Sequence, residues 1–238
     1  MSIRVNFARP IPIFPLETPA LLPQQVLPLH IFEPRYRQMV DRALDGAGQI
    51  AMAVFDGERW KTEYAGNPPV KPAVCIGQIV RHERLADGRY NILLQGVCRA
   101  RIAEEFLPDP EDPSEEEPRL YREAILEPVG IDDGDPDRLE SMRRWVEDLL
   151  TEGPLRRLTV AEQVLKYVQE DDIPSGALLE LVSFALLTDD RTRYSLLSEG
   201  NTDKRLDIVR SGLESLSRLI RQAESQHPEE WPKGMSWN

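Results

Sequence analysis

The apolar residues of this chain change their spacing once, near residue 130, and that change limits the architecture more than any single motif. Before it they come in short runs separated by turn residues. Ile11, Ile13, Phe14 and Leu16 form a strand-like run punctuated by prolines, and residues 49–55 form another ahead of Asp56-Gly57. Residues 73–81 and 90–96 flank Arg84-Leu85-Ala86-Asp87-Gly88, the pattern of an antiparallel hairpin. Residues 97–103 alternate apolar and basic side chains, which predicts a half-buried strand with Arg99 and Arg101 outward. Residues 120–126 supply one more strand. Several short strands with Gly and Pro turns imply a small closed or nearly closed barrel.

After residue 130 the spacing becomes helical. Asp135-Pro136 suits an N-cap and first turn, and Leu139, Met142, Val146 and Leu149 recur three or four apart until Gly153-Pro154. Thr159 with Glu162 reads as a capping box for a helix whose apolar face is Val160, Val164, Leu165 and Val168. Ser175 can cap the next helix, 178–187, which is apolar nearly all round and is expected to be central. A short helix is expected over 191–197, and a long one over 202–223 carrying Leu206, Val209, Leu213, Leu216 and Ile220. Five helices with short links make a bundle. The expected fold class is α+β: a β-barrel subdomain over 1–129 with a short helix at 33–44, an α-helical bundle over 130–223, and a tail over 224–238.

Composition narrows the function. Hydrophobic residues make up 41% and charged residues 29%, the balance of a globular protein, and no apolar run is long enough for a membrane span. The first residues lack the apolar core of a signal peptide, and two cysteines make no disulfide framework, so a reduced cytoplasm is the expected setting. A net charge of −12 disfavours nucleic acid, for which the best local patch is Arg35, Arg37 and Arg42. Residues 104–118 hold eight acidic residues and four prolines in fifteen positions, which predicts an extended, exposed connection. Trp231 and Trp237 give the tail the means to dock, with the body of the protein the expected surface.

Three segments carry a family resemblance. LPLHIFEPRYRQMV at 27–40, preceded by IPIFPL at 11–16, resembles the amino-terminal substrate-recognition domain of Lon proteases. That domain also occurs as a stand-alone bacterial protein and within the cereblon family. Residues 75–102 follow a second signature, with Gly77, Asp87, Gly88, Arg89, Gly96, Arg99 and Ile102 on the pattern, and residues 178–216 resemble the helical part. The resemblance covers roughly residues 10 to 222 and implies a pseudouridine-synthase-like (PUA-like) barrel. One departure stands out: family members usually carry Pro-Gly before the LPLHIFE segment, and here Gln24 follows Pro23.

Catalytic machinery is not legible. No GxxxxGK[ST] phosphate loop occurs, and no lysine sits beside a plausible nucleophilic serine. His30, His82 and His227 are scattered outside metal-binding spacings, and no CxxC pair exists for a cereblon-type zinc. Cys75 and Cys98 read as small apolar fillers. The expectation is therefore a non-catalytic recognition or adaptor protein with no catalytic residue, metal or cofactor. The resemblance implies unfolded or extended polypeptide as ligand, with a protease or chaperone as further partner and no membrane. A small-molecule- or RNA-binding barrel is the alternative. A groove with apolar lining and a charged rim would serve, but the sequence does not place it. The binding candidates are the signature-loop residues Leu29, His30, Phe32, Glu33, Arg35 and Tyr36. Glu33 and Arg35 suit an ion pair pinning the loop to the helix start, and Tyr36 and Phe32 suit packing anchors.

Overall fold

The computed structural model describes residues 3–64, 66–109, 117–130 and 133–225. The centre of the acidic connection and nearly all of the tail, with its two tryptophans, lie outside the described residues. Two compact units form: 1–132 together with 189–201, and 133–188 together with 202–238.

The first unit is built on six strands: β1 (Ile11–Leu16), β2 (Val26–Ile31), β3 (Gln49–Val54), β4 (Ala73–Arg84), β5 (Tyr90–Phe106) and β6 (Glu123–Val129). Their order is β2-β5-β4-β3-β1-β6, and β6 also pairs with β5. That last pairing closes β5, β4, β3, β1 and β6 into a ring. β2 lies outside the ring, attached to the first half of β5. The barrel interior takes Ile11 and Ile13, Ala51 and Ala53, Val74 and Ile76, Ala100, Ala124 and Leu126. Four alanines among nine residues keep the interior narrow enough to fill with side chains. β3 is buried along its whole length, because its other face also lies beneath neighbouring structure. Helix α1 (Pro34–Leu44) packs on β1 and β3 through Tyr36, Met39, Val40 and Ala43.

Three features differ from the sequence reading. The signature loop is half strand: residues 26–31 pair with β5. The two runs at 90–96 and 97–103 are one strand, whose pairing with β4 shifts register between Ile76 and Gly77 and between Ile79 and Arg81. The strand expected at 120–126 begins three residues later. The turn that replaces Pro-Gly is now defined. The Gln25 N–H donates to the Leu22 carbonyl at 3.3 Å, and Gln24 has φ +69°. Proline at the second position and a left-handed residue at the third are the marks of a type II turn, so Gln24 occupies a conformation that favours glycine.

The second unit contains α3 (Pro136–Thr151), a 3-10 turn (Pro154–Arg157), α4 (Ala161–Gln169), α5 (Ser175–Leu186) and α7 (Thr202–Ser225). The four-residue α2 (Trp60–Glu63) and α6 (Asp190–Ser198) belong to the first unit. The short helix expected in the bundle therefore packs on the barrel strands β4 and β5 instead. Asp135 caps α3, its side chain accepting from the Asp137 N–H at 2.9 Å. The expected capping box of α4 does not form: the cap position is Val160, with no side-chain bond. Ser175 opens α5 from inside the helix, its hydroxyl donating to Glu140. The α3, α5 and α7 faces bury Leu139, Val146, Leu178, Val182, Val209 and Leu213 together with a Glu180–Arg205 ion pair at 3.5 Å.

Candidate binding groove

β2 carries the site, and its pairing explains why. The Gly96 N–H donates to the Gln25 carbonyl at 2.8 Å. Antiparallel pairs alternate between bonded and non-bonded. Leu27, Leu29 and Ile31 therefore bond to β5, while Val26, Pro28 and His30 turn their backbone groups away from it. Among the described residues no strand pairs with that other edge. Proline is tolerated there because its missing N–H would point outward anyway. The same three residues share one face, with Val26 52% exposed and the following Phe32 60% exposed. An exposed apolar edge strand is a surface that natural proteins ordinarily blunt.

Beside that edge lies a groove of about 700 Å³ lined by Pro28, Leu29, His30, Arg81, His82, Glu83, Asn91, Ile92 and Leu93. Cross-strand partners share a face. One row across the three strands is Pro28–Leu93–Arg81, and the next is His30–Asn91–Glu83. The first row sets two apolar side chains beside a cation. The second is a hydrogen-bonded chain. Arg89 lies 3.2 Å from His30 Nε2, His30 Nδ1 lies 2.7 Å from Asn91 Oδ1, and Asn91 Nδ2 donates to Glu83 at 3.1 Å. A guanidinium only donates, so Nε2 must accept and Nδ1 must carry the proton. The chain fixes one tautomer of His30 and occupies Glu83. Asp87 holds Arg89 in place at 2.6 Å.

The six candidates from the sequence divide between two places. Leu29 and His30 line the groove, and Phe32 adjoins it, its ring 6.3 Å from that of His30. Glu33, Arg35 and Tyr36 form a separate cluster with Tyr64. Arg35 pairs with Glu33 at 3.0 Å and lies between the rings of Tyr36 and Tyr64, 4.6 and 4.5 Å from their centroids. The Tyr64 hydroxyl donates to Glu33 at 2.7 Å. Tyr36 is buried against Phe14, with ring centroids 4.3 Å apart, and burial pushes its phenol well above the ordinary value. This cluster pins the start of α1. Arg81, His82, Glu83, Asn91, Ile92 and Leu93 were not among the candidates. The hairpin pattern pairs Arg81 with Leu93 and Glu83 with Asn91, and that signal could have found them.

Among the described residues no group of three or more His, Cys, Asp or Glu could hold a metal ion. No helix of the described residues is long and apolar enough to cross a membrane.

The substrate-binding domain of ATP-dependent protease La (LON) matches residues 10–215. The chain belongs to this family. Lon protease 1 of Syntrophobacter fumaroxidans is 28% identical over 213 residues, which cover 90% of this chain and 24% of that protein. Lon protease of Trichlorobacter lovleyi is 25% identical over 179 residues, covering 73% and 20%. The chain thus spans a quarter or less of these curated relatives. The N-terminal domain of a Mycobacterium avium complex Lon protease shares the fold, with TM-score 0.61 at 19% identity over 84% of this chain and 96% of that one. A Lon N-terminal domain protein from Xanthomonas campestris aligns with TM-score 0.52 at 20% identity, covering 85% and 98%. The Lon substrate-binding domain carries the mixed sheet and helices read from the sequence as α+β, and its match to the chain includes no ATPase or peptidase domain.

Proposed function

We propose that this Lon-type domain is a non-catalytic recognition protein that binds extended polypeptide in the groove over β2, β5 and β4. The observation that carries the reading is the unpaired edge of β2 bordering that groove. A polypeptide entering over the edge meets the outward N–H groups of Val26 and His30 and the carbonyls of Val26, Pro28 and His30. Its apolar side chains meet Val26, Phe32, Pro28 and Leu93. Backbone bonding supplies affinity that does not depend on sequence, and the pockets beside it supply selection. Folded proteins have already paired their strands and offer neither. In this reading the protein works as an adaptor, presenting such segments to a protease or chaperone.

Fluorescence anisotropy with a dye-labelled, permanently unfolded polypeptide tests this. Phe32→Ser and Leu93→Ser change partly exposed side chains, so both variants keep the fold. Wild type is expected to bind the unfolded chain and ignore its folded form, and each variant to weaken binding about tenfold, or ~1.4 kcal/mol. Failure of wild type to bind, or variants indistinguishable from it, overturns the proposal.

A further inference from the structure

We infer that the groove prefers polypeptide segments in which an acidic side chain follows an apolar one by two or three residues, with Arg81 as the residue that sets the preference. The inference rests on the polypeptide reading and adds a substrate class to it. Arg81 is exposed and stands at the β4 end of the Pro28–Leu93–Arg81 row. Among the described residues no hydrogen bond, ion pair or ring contact engages its guanidinium, and the register shift beside it leaves Val80 out of the pairing and exposed. The nearest acid along the strand, Glu83, already accepts from Asn91. The neighbouring cations are occupied differently: Arg89 binds Asp87 and His30, and Arg84 faces Asp41 and the Tyr90 ring. His82, beside Arg81 in the groove lining, adds no negative charge.

Geometry fixes the spacing. A segment that bonds along the β2 edge and then turns over the sheet meets strands about 4.8 Å apart, so its crossing from β2 to β4 covers roughly 10 Å. An extended chain advances about 3.3 Å per residue, so about three residues make the crossing. An apolar side chain over Pro28 and Leu93 then places the second or third following residue at Arg81. A carboxylate there gains a charge-assisted, bidentate partner, while a lysine meets like charge. The protein as a whole carries −12, so this preference is local and short-ranged.

The test uses the full chain and one extended apolar peptide in three forms, with Glu, Gln or Lys at the third position after its apolar anchor. Wild type is expected to bind the Glu form about fivefold more tightly than the Gln form, with the gap closing as salt rises. Arg81→Ala is expected to erase the gap between the Glu and Gln forms, Arg81→Glu to favour the Lys form, and Arg144→Ala on the helical unit to change nothing. Binding of the Gln form with no preference for Glu, or a preference that survives Arg81→Ala, overturns the inference and leaves the polypeptide reading intact. Loss of binding to all three forms overturns both. So does retention of an oligoribonucleotide through Arg81 when no peptide binds.

Discussion

Gln24 is the only non-glycine among the described residues with positive φ, at the position where the family resemblance implies a glycine. A side chain in that region costs about 1 kcal/mol, offset in part by the extra freedom that glycine brings to the unfolded chain. Gln24→Gly is therefore expected to raise stability by up to about 1 kcal/mol, read as a higher denaturant midpoint with an unchanged slope. The turn also leans on Gly96, where an added Cβ would meet the Leu22 carbonyl at 2.1 Å, so the departure at residue 24 is absorbed by torsion and not by spacing. The tyrosines give the pH dependence. Burial pushes the Tyr121 phenol up to about 12 and Tyr36 higher still. Unfolded, both titrate near 10, so above that pH the native state holds protons that the unfolded chain has lost. Stability present below pH 10 is expected to decline steadily above it. Phenolate absorbance of these two is expected to rise only with unfolding. Residue-scale detail is legible where local chemistry decides it, as at Asp135 and the Asp87-Gly88 turn. It is not legible at Val160, where backbone turns from the Leu158 N–H to the Leu155 carbonyl and from the Ala161 N–H to the Leu158 carbonyl lead into α4 in place of the Thr159–Glu162 cap.

α6 shows what sequence patterns leave open. Residues 190–198 carry a readable helix with Asp189 as its cap, but nothing in the pattern says what it packs on. The barrel supplies the answer. Arg99, 5% exposed, donates from Nε to the Leu196 carbonyl at 2.8 Å, the Ala73 N–H donates to the Tyr194 hydroxyl at 3.2 Å, and Lys71 lies 4.6 Å from the Tyr194 ring centroid. Cys75 pairs with Arg99 and so shares that covered face, while Cys98 pairs with Ile76 on the barrel side. The two thiols point to opposite faces and cannot be bridged. Arg99→Ala is expected to cost about 2 kcal/mol by stranding buried polar groups. Its specific sign is faster labelling of Cys75 by a thiol reagent, because α6 loosens; unchanged Cys75 labelling would refute α6 as its cover. β2 was hidden for a related reason. Pro28 and His30 interrupt the apolar run, and the partner strand lies about sixty residues away, beyond the reach of local patterning.

At the scale of the whole molecule, the chain passes between its two compact units three times, since residues 189–201 return to the barrel before α7 begins. The change of period near residue 130 thus marks the first passage and gives no sign of the other two. The helical unit holds its core with a buried ion pair, and among the described residues a small polar cleft of about 220 Å³ lies between α3 and α7. The larger groove and the unpaired strand edge both belong to the barrel unit, which is why recognition is assigned there. Hydrogen exchange with and without an unfolded polypeptide tests that assignment most directly. The proposed binding predicts slowed exchange at the Val26 and His30 amides, whose N–H groups face outward from β2, with little change in α3, α4, α5 and α7. Binding accompanied by protection confined to the helical unit, with β2 exchanging as freely as before, would contradict it.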